Sequence, residues 1–185
     1  MTTAHRRREE RFRSLYADAY EDVLRFAQRR VHPSQAEDVV AEAFLVAWRR
    51  IEDAPTRAGD LRAWLFGIAR HCLLNARRGR GRGEALAVRL AEAMPAGAAA
   101  GSFDPEIVAL RIDLAAAWRE LSASEQEVLA LAVFENLTAV QAGDVLGITS
   151  VAYRLRLMRA RRALRRQLGR TDPEPTNLTA VEEAA

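Results

Sequence analysis

Residues 137–168 read LTAVQAGDVLGITSVAYRLRLMRARRALRRQL and decide the fold. Thr138 followed by Gln141 is a capping-box pattern, which predicts the start of a short helix. Gly147 offers the positive φ that a tight turn after such a helix needs. Apolar residues at helical spacing then predict a long final helix; they are Tyr153, Leu157, Ala160, Leu164 and Leu168. A short helix, a tight turn and a basic helix together predict a helix-turn-helix.

The final helix, capped by Thr149 or Ser150, is the candidate reader of duplex DNA. A helix fits the major groove and presents its N-terminal side chains to base edges there. The polar residues off its apolar stripe are therefore the candidate contacts to bases and phosphates: Ser150, Arg154, Arg156, Arg159 and Arg162. An ordinary amphipathic helical hairpin is the alternative interpretation of the same pattern.

The charge distribution indicates two polyanion-binding faces. The net charge is only +3, but residues 61–83 and 145–171 contain arginines and no acidic residue. Basic blocks on an otherwise balanced chain are typical of nucleic-acid binding. Solvated helix faces explain either block alone about equally well.

Upstream, the apolar spacing predicts three more helices and a first domain at residues 9–82. The first covers about 9–31 and ends at His32-Pro33, and a capping box at Ser34 opens the second. The third covers about 60–78 and carries a second candidate DNA surface, because aromatic side chains beside arginines suit single-stranded DNA. Its candidate residues are Trp64, Arg70, His71, Asn75, Arg77 and Arg78. A buried structural role for Trp64 is the alternative.

A run rich in glycine, proline and alanine at residues 83–103 predicts a flexible linker. A second domain follows at 104–168, beginning at Asp104-Pro105 and containing a further capping box at Ser124. Its first helix is expected to bury Leu110, Leu114, Ala117 and Leu121. Residues 169–185 are expected to be a disordered tail. The predicted fold is all-α, with two small helical domains and a helix-turn-helix in the second.

Composition excludes several classes of function. Cys72 is the only cysteine, so a disulfide framework or thiolate zinc site within one chain is excluded. The three histidines are scattered and no phosphate-binding glycine loop occurs, so we expect no enzyme, no metal and no cofactor. No window is long and apolar enough for membrane insertion, and a cytoplasmic protein is expected.

The sequence resembles a known family, the extracytoplasmic-function (ECF) sigma factors of bacterial RNA polymerase. Six stretches carry the resemblance: FRSLYADAY at 12–20, AEDVVAEAFLVAWR at 36–49, WLFGIARH at 64–71, LT at 137–138, DVLGIT at 144–149 and RLMRARRAL at 156–164. The first three resemble sigma region 2 and the block that follows it, and the last three resemble the helix-turn-helix of region 4. The resemblance extends over about 12–82 and 110–168, in the family's order.

The resemblance implies a protein that binds core RNA polymerase and promoter DNA and directs transcription initiation. The second helix would contact polymerase through Asp38, Glu42 and Arg49. The third helix would hold the opened −10 element, and the final helix would read the −35 element as duplex. An anti-sigma factor is a further partner that the family implies. The alternative function is a helix-turn-helix regulator that does not engage polymerase.

Four departures from the family pattern concern DNA preference. His71 replaces a frequent Asn near the −10 surface, and Gly143 replaces a usual Ala in the first helix of the turn motif. Gln141 replaces a usual Glu, and Val151-Ala152-Tyr153 replaces the common start of the reading helix. The family's −35 preference is therefore not transferred to this chain.

Overall fold

The computed structural model describes residues 3–78, Val88 and residues 105–171. Within these ranges the chain forms α-helices and one short 3-10 turn, with no strand. The helices are α1 (Thr3–Gln28), α2 (Pro33–Arg49), α3 (Ala58–Arg78), α4 (Pro105–Arg119), α5 (Ala123–Val133), α6 (Ala139–Leu146) and α7 (Ser150–Thr171), with the 3-10 turn at Ile51–Asp53. The predicted all-α fold is confirmed.

Helices α1, α2 and α3 pack into a first helical group around large apolar side chains. The rings of Phe26 and Phe66 stack with their centroids 4.8 Å apart, and both side chains are fully buried. Leu65 and Leu73 of α3 and Val23 of α1 are also fully buried. Each helix contributes residues at three- and four-residue spacing, as the amphipathic pattern requires.

The start of α2 differs from the prediction. His32 is the N-cap and Pro33 is the first helical residue, whereas α1 already ends at Gln28. The His32 ring accepts a hydrogen bond from the backbone N–H of Ser34. Proline suits the first helical position because its missing N–H needs no partner there and its φ is already helical. The capping box predicted at Ser34 is therefore wrong.

Helices α4 to α7 form a second group, and the start of α5 also differs from the prediction. Ser122 and Glu125 form the capping box, with the Ser122 hydroxyl accepting from the Glu125 N–H and the Glu125 carboxylate accepting from the Ser122 N–H. The box predicted at Ser124 is wrong, because its partner Glu127 is buried in an ion pair with α3. Leu110 is 63% exposed rather than buried.

The helix-turn-helix is formed by α6 and α7 as predicted. Thr138 and Gln141 make a reciprocal capping box, and Gly147 ends α6 at φ 67°. The Thr149 hydroxyl accepts a hydrogen bond from the Ala152 N–H and caps α7. A Cβ on Gly143 would lie 2.7 Å from the carbonyl oxygen of Ile148. Close approach of the turn to α6 therefore explains the glycine at this position.

Val88 is anchored to the second group. The Gln126 side-chain oxygen accepts from the Val88 N–H at 3.0 Å, and the Trp118 indole N–H donates to the Val88 carbonyl at 2.7 Å. The Val88 side chain is buried with Leu121 and Leu129. One residue of the predicted linker is thus bound to the second group by both its backbone groups, and most of that linker lies outside the described residues.

The two groups contact each other mainly through α3 and α6. Val145 of α6 and Leu131 of α5 belong to the same buried apolar cluster as Leu65 and Phe66 of α3. Gly67 lies at this contact, where a Cβ would be in ordinary van der Waals contact with Val145, 4.0 Å from its Cα. The core of the first group therefore extends into α5, α6 and α7, whereas Trp118 of α4 belongs to a second apolar cluster with Leu129 and Ala160.

Candidate nucleic-acid interfaces

The candidate −35 surface lies along the exposed side of α7. Arg154, Arg156, Arg159 and Arg162 are exposed, whereas Ser150 is half-buried. Arg154 donates hydrogen bonds to the carbonyl and hydroxyl oxygens of Ser150, so these two candidates lie together at the N-terminus of the helix. The structure thus presents several exposed guanidinium groups along α7, after the helix-turn-helix turn, where a DNA backbone can be contacted.

Tyr153 fixes the orientation of this surface. Its side chain is 1% exposed, and its hydroxyl donates to the carbonyl oxygen of Val128 on α5 at 3.0 Å. Burial raises the pKa of Tyr153 to about 12, so the phenol keeps its proton and remains a donor at neutral pH. The apolar side of α7 is therefore held against α5, and the arginines are directed outward.

The candidate −10 surface on α3 is only partly exposed. His71, Asn75 and Arg78 are exposed, and Asn75 accepts a hydrogen bond from Arg78. The His71 Nδ1 lies 2.8 Å from the carbonyl oxygen of Gly67. Because a carbonyl can only accept, Nδ1 carries the proton and Nε2 faces away from this contact.

Trp64 lies at the contact between the two groups. It is half-buried and lines a cavity of about 340 Å³ together with Gln141 and Asp144 of α6. Arg77 is also half-buried. The six candidates on α3 are consequently not a single open surface in this arrangement.

Arg70 is occupied by an acid of the second group. Its Nε donates to one Glu127 carboxylate oxygen at 2.8 Å and its Nη2 to the other at 3.3 Å. The Arg70 and Glu127 side chains are 17% and 7% exposed. Sequence reasoning missed this pair, because 57 residues separate its members.

Glu135 makes a second, larger set of contacts to the first group. Its carboxylate accepts from Arg29 at 3.0 Å and from Arg30 at 3.3 Å, and it is 1% exposed. Its carbonyl oxygen accepts a hydrogen bond from Arg62, which also binds Asp22 of α1. No local sequence signal singled out Glu135, Arg29 or Arg30.

The candidate polymerase contacts share one face of α2. Asp38, Glu42 and Arg49 are exposed, and their spacing of four and seven residues places them within about 40° of one another around the helix. Leu45 lies on the same face and is 58% exposed. The sequence analysis missed Leu45, although its place three residues after Glu42 would have shown it on this face.

Similarity to known proteins identifies the family. The model for sigma-70 region 2 matches residues 15–83. The ECF RNA polymerase sigma factor SigL of Mycobacterium tuberculosis is 31% identical over 160 residues, which cover 83% of this chain and 86% of that protein. The chain belongs to the ECF RNA polymerase sigma factors. These relatives support the sigma-factor prediction rather than the alternative regulator, and the family consists of regulatory transcription proteins.

Two solved structures have the same fold. The sigma factor RpoE of Bartonella quintana, in complex with the anti-sigma factor NepR, matches with a TM-score of 0.61 at 24% identity, over 88% of this chain and 98% of that chain. CnrH in complex with the cytosolic domain of CnrY matches with a TM-score of 0.55 at 25% identity, over 87% and 89% of the two chains. In the part of this sigma factor that the structure describes, no helix has the length and apolar character needed to cross a membrane.

Proposed function

We propose that this sigma factor uses three binding surfaces: α2 binds core polymerase, α3 binds the opened −10 element, and α7 binds the −35 element as duplex. The proposal assigns residues 9–82 to the first domain and 104–168 to the second, with 83–103 as the linker. Because α7 continues to Thr171, the tail begins after this helix and not at residue 169 as predicted. Its strongest support is the set of exposed arginines on α7, the helix that follows the helix-turn-helix turn.

On α7, we assign Ser150, Arg154 and Arg156 to bases or nearby phosphates and Arg159 and Arg162 to the backbone. The first three lie in the first two turns, which is the part of a recognition helix that reaches base edges. Guanidinium groups bind phosphate or guanine with two parallel hydrogen bonds, so they suit both tasks.

On α3, the −10 assignment comprises Trp64, Arg70, His71, Asn75, Arg77 and Arg78. An indole ring and a guanidinium plane stack on unpaired bases, and the arginines neutralise phosphates. Because Glu127 and α6 cover Arg70 and Trp64, this assignment requires the two helical groups to separate before the −10 element binds.

On α2, we assign Asp38, Glu42, Leu45 and Arg49 to core polymerase. Exposed acids at four-residue spacing repel each other slightly and do not stabilise an isolated helix. A basic partner surface would compensate for this repulsion, and Leu45 supplies an apolar contact at the centre of the same face.

A partner of the anti-sigma kind is part of the proposal, since the related RpoE was solved with one. A protein that works on RNA polymerase acts where transcription occurs, which places this chain in the cytoplasm. A regulatory, non-enzymatic role follows from the same proposal.

Reconstituted transcription tests the proposal. Core polymerase, the full chain and genomic promoter fragments are combined, and the start sites are mapped. Specific initiation that depends on the protein is expected and would define both promoter elements. Duplex binding without initiation would instead favour a regulator that does not engage polymerase.

A further inference from the structure

Glu135 lies at the centre of a buried cluster of arginines. Its backbone is fixed within the second group, because its N–H donates to the Ala130 carbonyl and Asn136 adopts a positive φ of 50°. Its carboxylate, in contrast, bonds across the contact to Arg29 and Arg30 of the first group. The side chain therefore joins the groups and contributes no hydrogen bond to the turn that carries it.

The arginines outnumber the acids that the second group offers them. Arg29, Arg30, Arg62 and Arg70 face this group, whose only charged partners for them among the described residues are Glu127 and Glu135. Nε of Arg29, and Nε and Nη2 of Arg30, are buried without an acceptor in the described residues. The first group therefore keeps unused donor capacity on this face.

For holding the two helical groups together, these charged contacts add little to the apolar packing of α3 against α6. Desolvating charges costs several kcal/mol per ion, and apolar residues of similar volume usually stabilise a permanent contact as well or better. Charged faces can, however, return to water when the groups separate. The four arginines therefore fit a surface that has a second, polyanionic ligand.

With the two helical groups packed together, which we call the closed arrangement, the protein cannot bind the −10 and −35 elements of one promoter at the same time. Elements at −10 and −35 are about 25 base pairs apart, which corresponds to about 85 Å of duplex. Here α3, which carries the −10 candidates, packs directly on α6 of the helix-turn-helix. The groups must separate before both elements are bound, and separation uncovers the arginines.

We propose that Arg29, Arg30, Arg62 and Arg70 form one phosphate-binding surface for promoter DNA, and that the carboxylates of Glu127 and Glu135 occupy it in the closed protein. The two acids stand in the places of phosphates, since bidentate contact with a guanidinium is common to carboxylate and phosphate. This inference rests on the proposed function and adds Arg29, Arg30 and Arg62 to its DNA contacts. It also gives the second group an inhibitory role.

The first experiment removes both acids with Glu127→Gln and Glu135→Gln in the full chain. Buried arginines then lose their counter-charges, so the groups separate and the radius of gyration in solution scattering rises. Affinity for a labelled oligo-dT strand rises about tenfold, if the open form of the parent protein is populated in about one molecule in ten. Glu120→Gln, at the exposed residue directly after α4, is the control for removing an acid elsewhere in the second group.

Adding Arg29→Gln and Arg62→Gln to the double glutamine variant tests whether these arginines cause its higher affinity for oligo-dT. The affinity for oligo-dT is expected to fall back towards the parent value, whereas Arg13→Gln on the far part of α1 leaves most of the gain. An opened protein that binds oligo-dT no better than the parent would overturn the proposal. So would an unchanged radius of gyration in the double glutamine variant.

A disulfide lock covers the case in which the glutamine variants do not fold. Cysteines are introduced by Gly67→Cys and Val145→Cys, because a Cβ at position 67 would lie only 4.0 Å from the Val145 Cα, which brings the two sites near disulfide distance. The oxidised protein is expected to lose oligo-dT binding and the reduced protein to regain it. Equal binding in both states would contradict masking. A different outcome would count against the proposed sigma mechanism: oligo-dT binding still depends on the redox state, but the reduced protein does not initiate transcription.

Discussion

The two basic helices of this sigma factor, α3 and α7, are in opposite situations. The arginines of α7 face outward, while Arg62 and Arg70 of α3 are bound by atoms of the second group. Both helices carry the same kind of charge, yet α3 leaves only Arg78 fully exposed, whereas the candidate arginines of α7 all are. The difference shows that a basic sequence block does not establish an accessible DNA surface, because acids far away in the sequence can cover it.

Removing the exposed arginines is expected to have the largest effect. The change Arg154→Ala with Arg156→Ala and Arg159→Ala lowers affinity for the −35 duplex at least about a hundredfold, and lowers the salt slope by about 3, since each lost phosphate contact removes about 0.9. Titrations at several salt concentrations measure both. Arg170→Ala, about 21 Å along the same helix from Arg156, is the control. An unchanged slope would remove α7 from the contact.

Charge reversal on α2 tests a face that neither basic helix covers. Asp38→Arg is expected to weaken binding to core polymerase about tenfold or more, because like charges then oppose a basic partner. Helicity by circular dichroism stays unchanged, as the site is exposed. Glu37→Arg makes the same change about 100° around the helix and serves as the control. Normal polymerase affinity in the Asp38 variant would exclude that residue.

Loss of the Tyr153 hydroxyl group is expected to lower the folding stability moderately, through the contact of α7 with α5. Tyr153→Phe removes the hydrogen bond to the Val128 carbonyl, which keeps its backbone partner within α5, and costs about 0.5–1.5 kcal/mol of folding free energy. Thermal unfolding measures this loss. Duplex affinity of the folded protein changes little, because Tyr153 faces the core. A stability equal to that of the parent would show that the hydrogen bond contributes nothing net.

The smallest expected effect concerns Cys72, which lies on α3 but inside the first group. Burial raises the pKa of its thiol to about 11, and the negative charge of Glu42 acts in the same direction. The thiol is therefore almost fully protonated at pH 8 and reacts slowly with iodoacetamide. The rate should stay low in the glutamine variant that separates the groups. Rapid labelling there would mean that α3 itself unfolds.

The sequence predicted most of the helices because each buries an apolar stripe that is visible locally. The predicted caps of α6 and α7 are confirmed, since Thr138, Gln141 and Gly147 act within a few residues of one another. The failures at Ser34 and Ser124 have a common cause. A capping-box pattern can fit more than one register, and Pro33 or the burial of Glu127 decides between registers.

The contacts that cover Arg29, Arg30, Arg62 and Arg70 could not be predicted in this way. Glu135 meets Arg29 across 106 residues, and nothing in the local pattern around either residue encodes the other. The α2, α3 and α7 candidates were found by type and spacing, but their roles stay predictions. Exposure, the property that separates α7 from α3, depends on how the two groups pack.

The hydrogen bonds that anchor Val88 limit how far the two helical groups can move apart. While both backbone groups of Val88 are bound by Gln126 and Trp118, ten residues join Arg78 to the second group, and they reach at most about 35 Å. With the anchor released, the 27 residues from Arg78 to Pro105 reach at most about 95 Å. One apolar side chain and two hydrogen bonds thus set which range of promoter geometries the same chain can span.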